Sequence, residues 1–121
     1  MTASTTESGR SIPPDVVLSA VADEHRRAVL RSLNQTDQNV MDVDALADLV
    51  AERVRNGEPS DDEHRRRVYI ALHHVHLPKL EACGMILHDT ETKQVRSATG
   101  ELGQRLLSVV EPYEHASDFV R

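Results

Sequence analysis

The period of the apolar residues changes at Gly84, and this change constrains the fold more than any other feature of the sequence. Ahead of Gly84, apolar residues recur at three- and four-residue spacing, the period of a helix buried along one side. Beyond it, Met85 to His88 is a short apolar strand, Asp89-Thr90-Glu91-Thr92-Lys93 is a polar turn, and Gln94 to Ser97 alternates as a returning strand. A lone hairpin is marginally stable in water, so this one has to pack on the helices that precede it.

Stripes and caps place those helices. Pro13 and Pro14 end a small polar stretch, and Asp15 can cap a helix carrying Val17, Ala20 and Val21. Asp23 caps a second, whose apolar set is Ala28, Val29, Leu30 and Leu33. After polar Asn34 to Asn39, Val40-Met41-Asp42 reads as a very short strand able to join the hairpin as its third member. Asp42 also suits an N-cap for a helix bearing Val43, Leu46, Ala47, Leu49, Val50 and Val54, stopped near Asn56-Gly57. Glu58-Pro59-Ser60 is a loop. Ser60, Asp61, Asp62 and Glu63 open the next helix, where each negative charge gains about 0.3–1 kcal/mol from the helix dipole. That helix runs to about Cys83. Pro78 within it cannot donate to the carbonyl of His74, which predicts a kink or local break. Thr99 or Gly100 starts a last helix striped by Leu102, Leu106, Val109 and Tyr113, with Pro112 able to bend it.

The layout is mainly α with a small β-hairpin wing, the order of a winged helix-turn-helix with an extra C-terminal helix. Residues 1–12 read as a disordered tail, 13–99 as the winged helix-turn-helix domain and 100–121 as a C-terminal helix suited to dimerisation. A chain of 121 residues fits this single domain. No apolar run approaches the roughly 20 residues of a membrane span, and Met1 to Arg10 lacks the apolar stretch of a signal peptide. The expected location is the cytoplasm. Cys83 is the only cysteine, which excludes an internal disulfide and a multi-cysteine zinc cluster within one chain.

There are 20 acidic residues against 14 basic ones, a formal net charge of −6, and of the basic set only Lys79 and Lys93 are lysine. An acidic, lysine-poor surface resembles proteins of salt-loving archaea, whose carboxylates stay hydrated while salt screens their repulsion. Nucleic-acid binders usually carry a basic excess. In concentrated salt, counterion release drives less of the binding, so grouped arginines can serve a DNA binder of negative net charge. Arg65, Arg66 and Arg67 are so grouped.

Two stretches carry a family likeness. Val21-Ala22-Asp23-Glu24-His25-Arg26-Arg27-Ala28-Val29-Leu30 resembles the first core helix of the arsenic-repressor-like winged-helix regulators. His73-His74-Val75-His76-Leu77-Pro78-Lys79-Leu80-Glu81-Ala82-Cys83-Gly84-Met85-Ile86 resembles the recognition helix of that group and the start of its wing. The phrase from Arg67 to Leu80 is similar to short haloarchaeal winged-helix domains of mostly unassigned role. The likeness covers about residues 15 to 100 and implies a dimeric, DNA-binding transcription regulator. The cysteine pair with which the arsenic-repressor group binds metal is missing.

With Leu80 at the centre of the buried side and steps of about 100°, Tyr69, His73, His76 and Leu77 fall inward, flanked by Ile70 and Leu72. Arg67, Ala71, His74, Val75 and Pro78 fall outward. Arg67 and His74 are then candidates for base edges or phosphates, Arg65, Arg66 and Lys79 for phosphates, and Lys93 and Arg96 for backbone or minor-groove contact from the wing. Pairing of the arginines with Asp61, Asp62 and Glu63 along the helix is the competing explanation. Val17, Val21, Leu102, Leu106, Val109 and Tyr113 are the expected dimer face. The expected partners are double-stranded DNA and a second copy, with a protein partner open and no membrane. No cofactor is expected. His73 and His76, joined by His25, have a spacing that metal ligands can use, against the alternative of packed core histidines. No phosphate loop, metalloprotease pattern or Gly-x-Ser-x-Gly occurs, and the chain does not read as an enzyme.

Overall fold

A computed structural model describes residues 13–54 and 61–114. The expected tail at 1–12, the helix stop at Asn56-Gly57, the loop Glu58-Pro59-Ser60 and the end of the C-terminal helix at 115–121 lie outside the described residues. Helix α1 (Pro14–Val21) begins two residues earlier than a cap at Asp15 requires: Pro13 precedes it, and Asp15 sits in its first turn, where its charge suits the dipole. Helix α2 (Glu24–Asn34) is capped as expected by Asp23, whose carboxylate accepts from the backbone N–H of His25 at 2.7 Å and of Arg26 at 3.3 Å.

Strand β1 (Val40–Asp42) leads into α3 (Val43–Val54), where Asp42 accepts from the N–H of Asp44 at 3.0 Å. Asp61 caps α4 (Asp62–Ala71) through the N–H of His64 at 2.8 Å. One π-helical turn, Leu72–His76, joins α4 to α5 (Leu77–Ala82). Gly84, at φ 76°, ends α5 in the left-handed conformation. Its N–H reaches the carbonyl of Glu81 and that of Met85 the carbonyl of Leu80, both at 2.9 Å, which satisfies the carbonyls a helix end leaves open. This closure is the physical content of the period change in the sequence.

Strands β2 (Ile86–Asp89) and β3 (Gln94–Ser97) pair antiparallel, and β1 adds to the other side of β3 to give the order β1-β3-β2. Val40 and Leu87 both stand opposite Arg96, on its two sides. Helix α6 (Gly100–Glu114) follows. Leu30 and Leu33 of α2, Leu46 and Val50 of α3, Leu72, Leu77 and Leu80 of the bent helix, and Ile86 and Val95 of the sheet are all shut off from water. Each contributes about 1.5–3 kcal/mol by burial. The chain is thus a mostly helical domain with a small three-stranded antiparallel sheet and an added C-terminal helix. Among the described residues no helix is long and apolar enough to cross a membrane.

The structure corrects the inward face of the fourth helix. His76, Leu77 and Leu80 are buried as expected. Ahead of the π turn, however, Val68 points inward and Tyr69 is 37 % exposed, and within the turn Leu72 is buried and His73 half-buried. The N–H of Leu77 bonds to the carbonyl of Leu72, five residues back, so the turn holds one residue more than an α-turn. Everything N-terminal to it is rotated by about one residue's step, roughly 100°. The break expected at Pro78 is therefore met just before it. Pro78 itself opens α5, where a missing N–H costs nothing.

Candidate nucleic-acid interface

The outer side of the bent helix carries Arg65, Arg66, Arg67, Ile70, His74, Val75 and Lys79, all exposed. The charges on it are interleaved. Arg65 meets Asp62 at 2.5 Å and reaches Asp48 of α3 at 4.0 Å, and Arg67 meets Glu63 at 3.1 Å. The pairing along the helix considered from sequence is thus present for two of the three arginines. Exposed pairs of this kind are worth about 0–1 kcal/mol. Among the described residues no ion pair involves Arg66, Lys79, Lys93 or Arg96.

The hairpin is fixed beside this helix. Asp89 accepts from the N–H of Glu91 at 2.9 Å and of Thr92 at 3.3 Å, which shapes the turn. Hydrogen bonds from Thr92 and then Glu91 hold the Asp89 carboxyl below its ordinary range. Lys93 takes φ 59°, and its carbonyl accepts from the N–H of Val43 at 2.9 Å, tying the turn to the start of α3. The His73 ring bridges helix and hairpin: it lies 4.5 Å from Tyr69 and 6.1 Å from His88 between centroids. Its Nε2 is buried without a hydrogen-bond partner among the described residues. Burial first, then the neighbouring His88 and His74, push its pKa down, Asp44 opposing and Lys93 adding to the fall.

Arg26 and Arg27, which the sequence reading left without a role of their own, lie in the first turn of α2. Arg26, buried, donates from Nε to the carbonyl of Ala20 at 2.6 Å, from Nη2 to that of Ser19 at 3.1 Å, and from Nη1 to Nδ1 of His76 at 3.2 Å. Arg27 donates to the carbonyl of Val21 at 2.9 Å. The arginine pair of the first motif therefore closes the C-terminus of α1, where carbonyls lack helical partners. The His25 ring stacks on His76 at 5.2 Å with planes 7° apart. Asp23 Oδ1 lies 3.5 Å from His25 Nδ1 and 3.9 Å from His76 Nδ1. Of the three histidines paired with one another from sequence, His25 and His76 thus come together, and His73 stands apart on the hairpin side.

Because a guanidinium can only donate, His76 Nδ1 accepts, and the ring is neutral with its proton on Nε2. Burial first lowers the His76 pKa; Asp23 opposes this, and His25 and Arg26 add to it. Burial pushes Asp23 up, and the hydrogen bond from the His25 N–H, the nearby His76 ring and the N–H and charge of Arg26 overcome this and leave it low. An alternating Asp-x-His followed by an arginine was the available signal, but the contact with His76 spans fifty positions and has no local trace.

The expected dimer face is split. Val21 is buried in the chain's own core, and Val17 and Leu106 pack against that core half-buried. Leu102, Val109 and Tyr113 remain open at 73 %, 64 % and 76 % exposure. The end of α6 is held by Glu114, which Arg27 and Arg31 both engage. Burial raises the Glu114 pKa, but hydrogen bonds from Arg31 and then Arg27, with their charges, bring it below the ordinary value.

A family profile described as a domain of unknown function (DUF7344) matches residues 18–96. The chain belongs to that family. The matched stretch runs from within α1 to β3 and contains both the bent helix and the Asp23–His25–His76 cluster, whereas α6 follows it. No curated protein and no solved structure matches the chain.

Proposed function

We propose that this DUF7344 domain is a winged helix-turn-helix transcription regulator that binds double-stranded DNA as a cytoplasmic homodimer, with no catalytic role and no required cofactor. One observation carries the reading: the outer side of the bent helix, with Arg66, Arg67, His74 and Lys79, is open and flanked by a three-stranded sheet whose hairpin bears Lys93 and Arg96. That helix enters the major groove. Arg67 and His74 address base edges, Arg65, Arg66 and Lys79 hold phosphates, and the wing follows the backbone. The weak pairs Arg67–Glu63 and Arg65–Asp62 are exchanged for contacts to DNA, at a cost that an arginine bidentate to guanine, worth about 1–3 kcal/mol, offsets. The resemblance to arsenic-repressor-like regulators and to haloarchaeal winged-helix domains supports the same reading, as does a composition suited to high salt.

A second reading is a protein-interaction module on the same scaffold. It is favoured by the carboxylates of Asp62 and Glu63 in front of two arginines and by Ile70 and Val75, apolar and exposed on the same side. Capture of genomic DNA fragments by the native protein at molar salt separates the two. The first reading expects enrichment of a common sequence, with Arg67→Ala weakening specific binding more than Lys93→Ala. Equal losses, or no enrichment, count against it and leave the exposed apolar residues as the better guide.

A further inference from the structure

The Asp23–His25–His76 cluster is the one place among the described residues where three side chains of metal-binding chemistry converge, their donor atoms all within 4.8 Å of one another. We propose that it binds a divalent transition-metal ion of the zinc type, held by the Asp23 carboxylate and one ring nitrogen from each histidine, with water completing the shell. The proposal is independent of whether the bent helix meets DNA or protein.

The distances carry it. Zinc bound tetrahedrally at about 2.0–2.1 Å sets its ligand atoms roughly 3.4 Å apart. His25 Nδ1 is already 3.5 Å from Asp23 Oδ1, and His76 Nδ1 is 3.9 Å from the same oxygen. Imidazole nitrogens with one carboxylate are a donor set that Zn, Fe, Ni and Cu accept. Two of the ligands are fixed in place: Asp23 by its capping bonds to α2, and His76 by burial on the π turn. His25 is the movable one. An ion must lie in the plane of each ring it binds, and the two rings are now nearly parallel, so His25, half-exposed in the first turn of α2, has to turn out of the stack.

Arg26 Nη1 presently satisfies the lone pair of His76 Nδ1. The planar guanidinium moves as one body, so an ion that takes that atom swings the whole group aside and gives up the bonds from Nε and Nη2 to Ala20 and Ser19 as well. The ion would thereby link α2 to the bent helix at the joint where α1 ends. The nearby guanidinium opposes a second positive charge, so metal uptake should be readily reversed by a chelator.

The test is calorimetric titration of the full chain with zinc chloride in metal-free buffer near pH 7.5, with imidazole resonances followed by NMR. The proposal expects one equivalent bound, with His25 and His76 resonances shifted before those of the other histidines. It also expects a loss of at least about tenfold in affinity on His25→Ala and on Asp23→Asn. Asparagine caps a helix about as well as aspartate, so Asp23→Asn removes the ligand charge without unfolding α2. His76→Gln is uninformative if it unfolds, and the other two variants carry the test. No uptake, uptake unchanged in both variants, or uptake abolished instead by His74→Ala would overturn the site.

Discussion

His76 and Arg26 set what each other can be. An arginine at the end of α1 must keep its charge, so the histidine it touches must stay neutral, and burial on the π turn reinforces this. His73 is held neutral for a different reason, burial against the hairpin beside His88 and His74. Both pKa values therefore lie below that of a free histidine, about 6.5. As pH falls through that value the unfolded chain takes up protons that the folded chain refuses, so folding stability is present above about pH 6.5 and is lost below it. Asp23 and Glu114 act at lower pH: their depressed values give stability present above the ordinary carboxylate range and lost as pH falls through it. Urea midpoints taken from pH 8 to 3 at fixed molar salt should show two descending stages, one beginning near 6.5 and one below about 4.5. His76→Gln, where it folds, should shrink the first stage and leave the second. A midpoint flat down to pH 5 would mean that neither histidine is protected.

At the scale of elements, the π turn decides which residues of the bent helix belong to the core. Much else at this scale was legible from sequence. The caps at Asp23 and Asp42, the Gly84 stop and the hairpin are all local, fixed by short-range hydrogen bonds and by a two-residue period; the pairing of β1 with β3 joins distant positions, and the winged-helix order of elements pointed to it. The inward face of α4 was not legible, because an α-period carried back from Leu80 has no means of counting the extra residue in Leu72–His76. The roles of Arg26, Arg27 and Glu114 were hidden for a related reason: their partners lie on other elements, and a charged residue on a helical stripe carries no sign that it will be buried. The register can be checked by substitution. Leu72→Ala should cost about 2–5 kcal/mol, as a fully enclosed leucine does. Tyr69→Ala should cost only about 0.5–1.5 kcal/mol, the worth of its ring contact with His73. A continuous α-helix, with Tyr69 inside, would reverse that order in chemical denaturation.

For the whole molecule, the open questions meet in α6. Its inner side, through Leu106, Leu107 and the Glu114 pairs, serves the chain's own core, so among the described residues of α6 Leu102, Val109 and Tyr113 are left to meet a second copy. On the proposed homodimer this is the face that pairs, and a two-fold pair would set two bent helices about one DNA turn apart, roughly 34–36 Å. The net charge of −6 on each copy opposes that pairing at low salt. Screening shortens from about 10 Å at 0.1 M to about 3 Å at 1 M, so self-association should strengthen with salt, whereas any binding to DNA phosphates should weaken with it. Light scattering across that range should pass from a smaller species to a dimer. Val109→Glu with Tyr113→Glu, both outside the core, should keep the chain monomeric at 1 M salt without changing its helical circular dichroism. A wild-type chain that stays monomeric at molar salt would remove the paired-helix geometry, and the two-half-site form of DNA recognition with it.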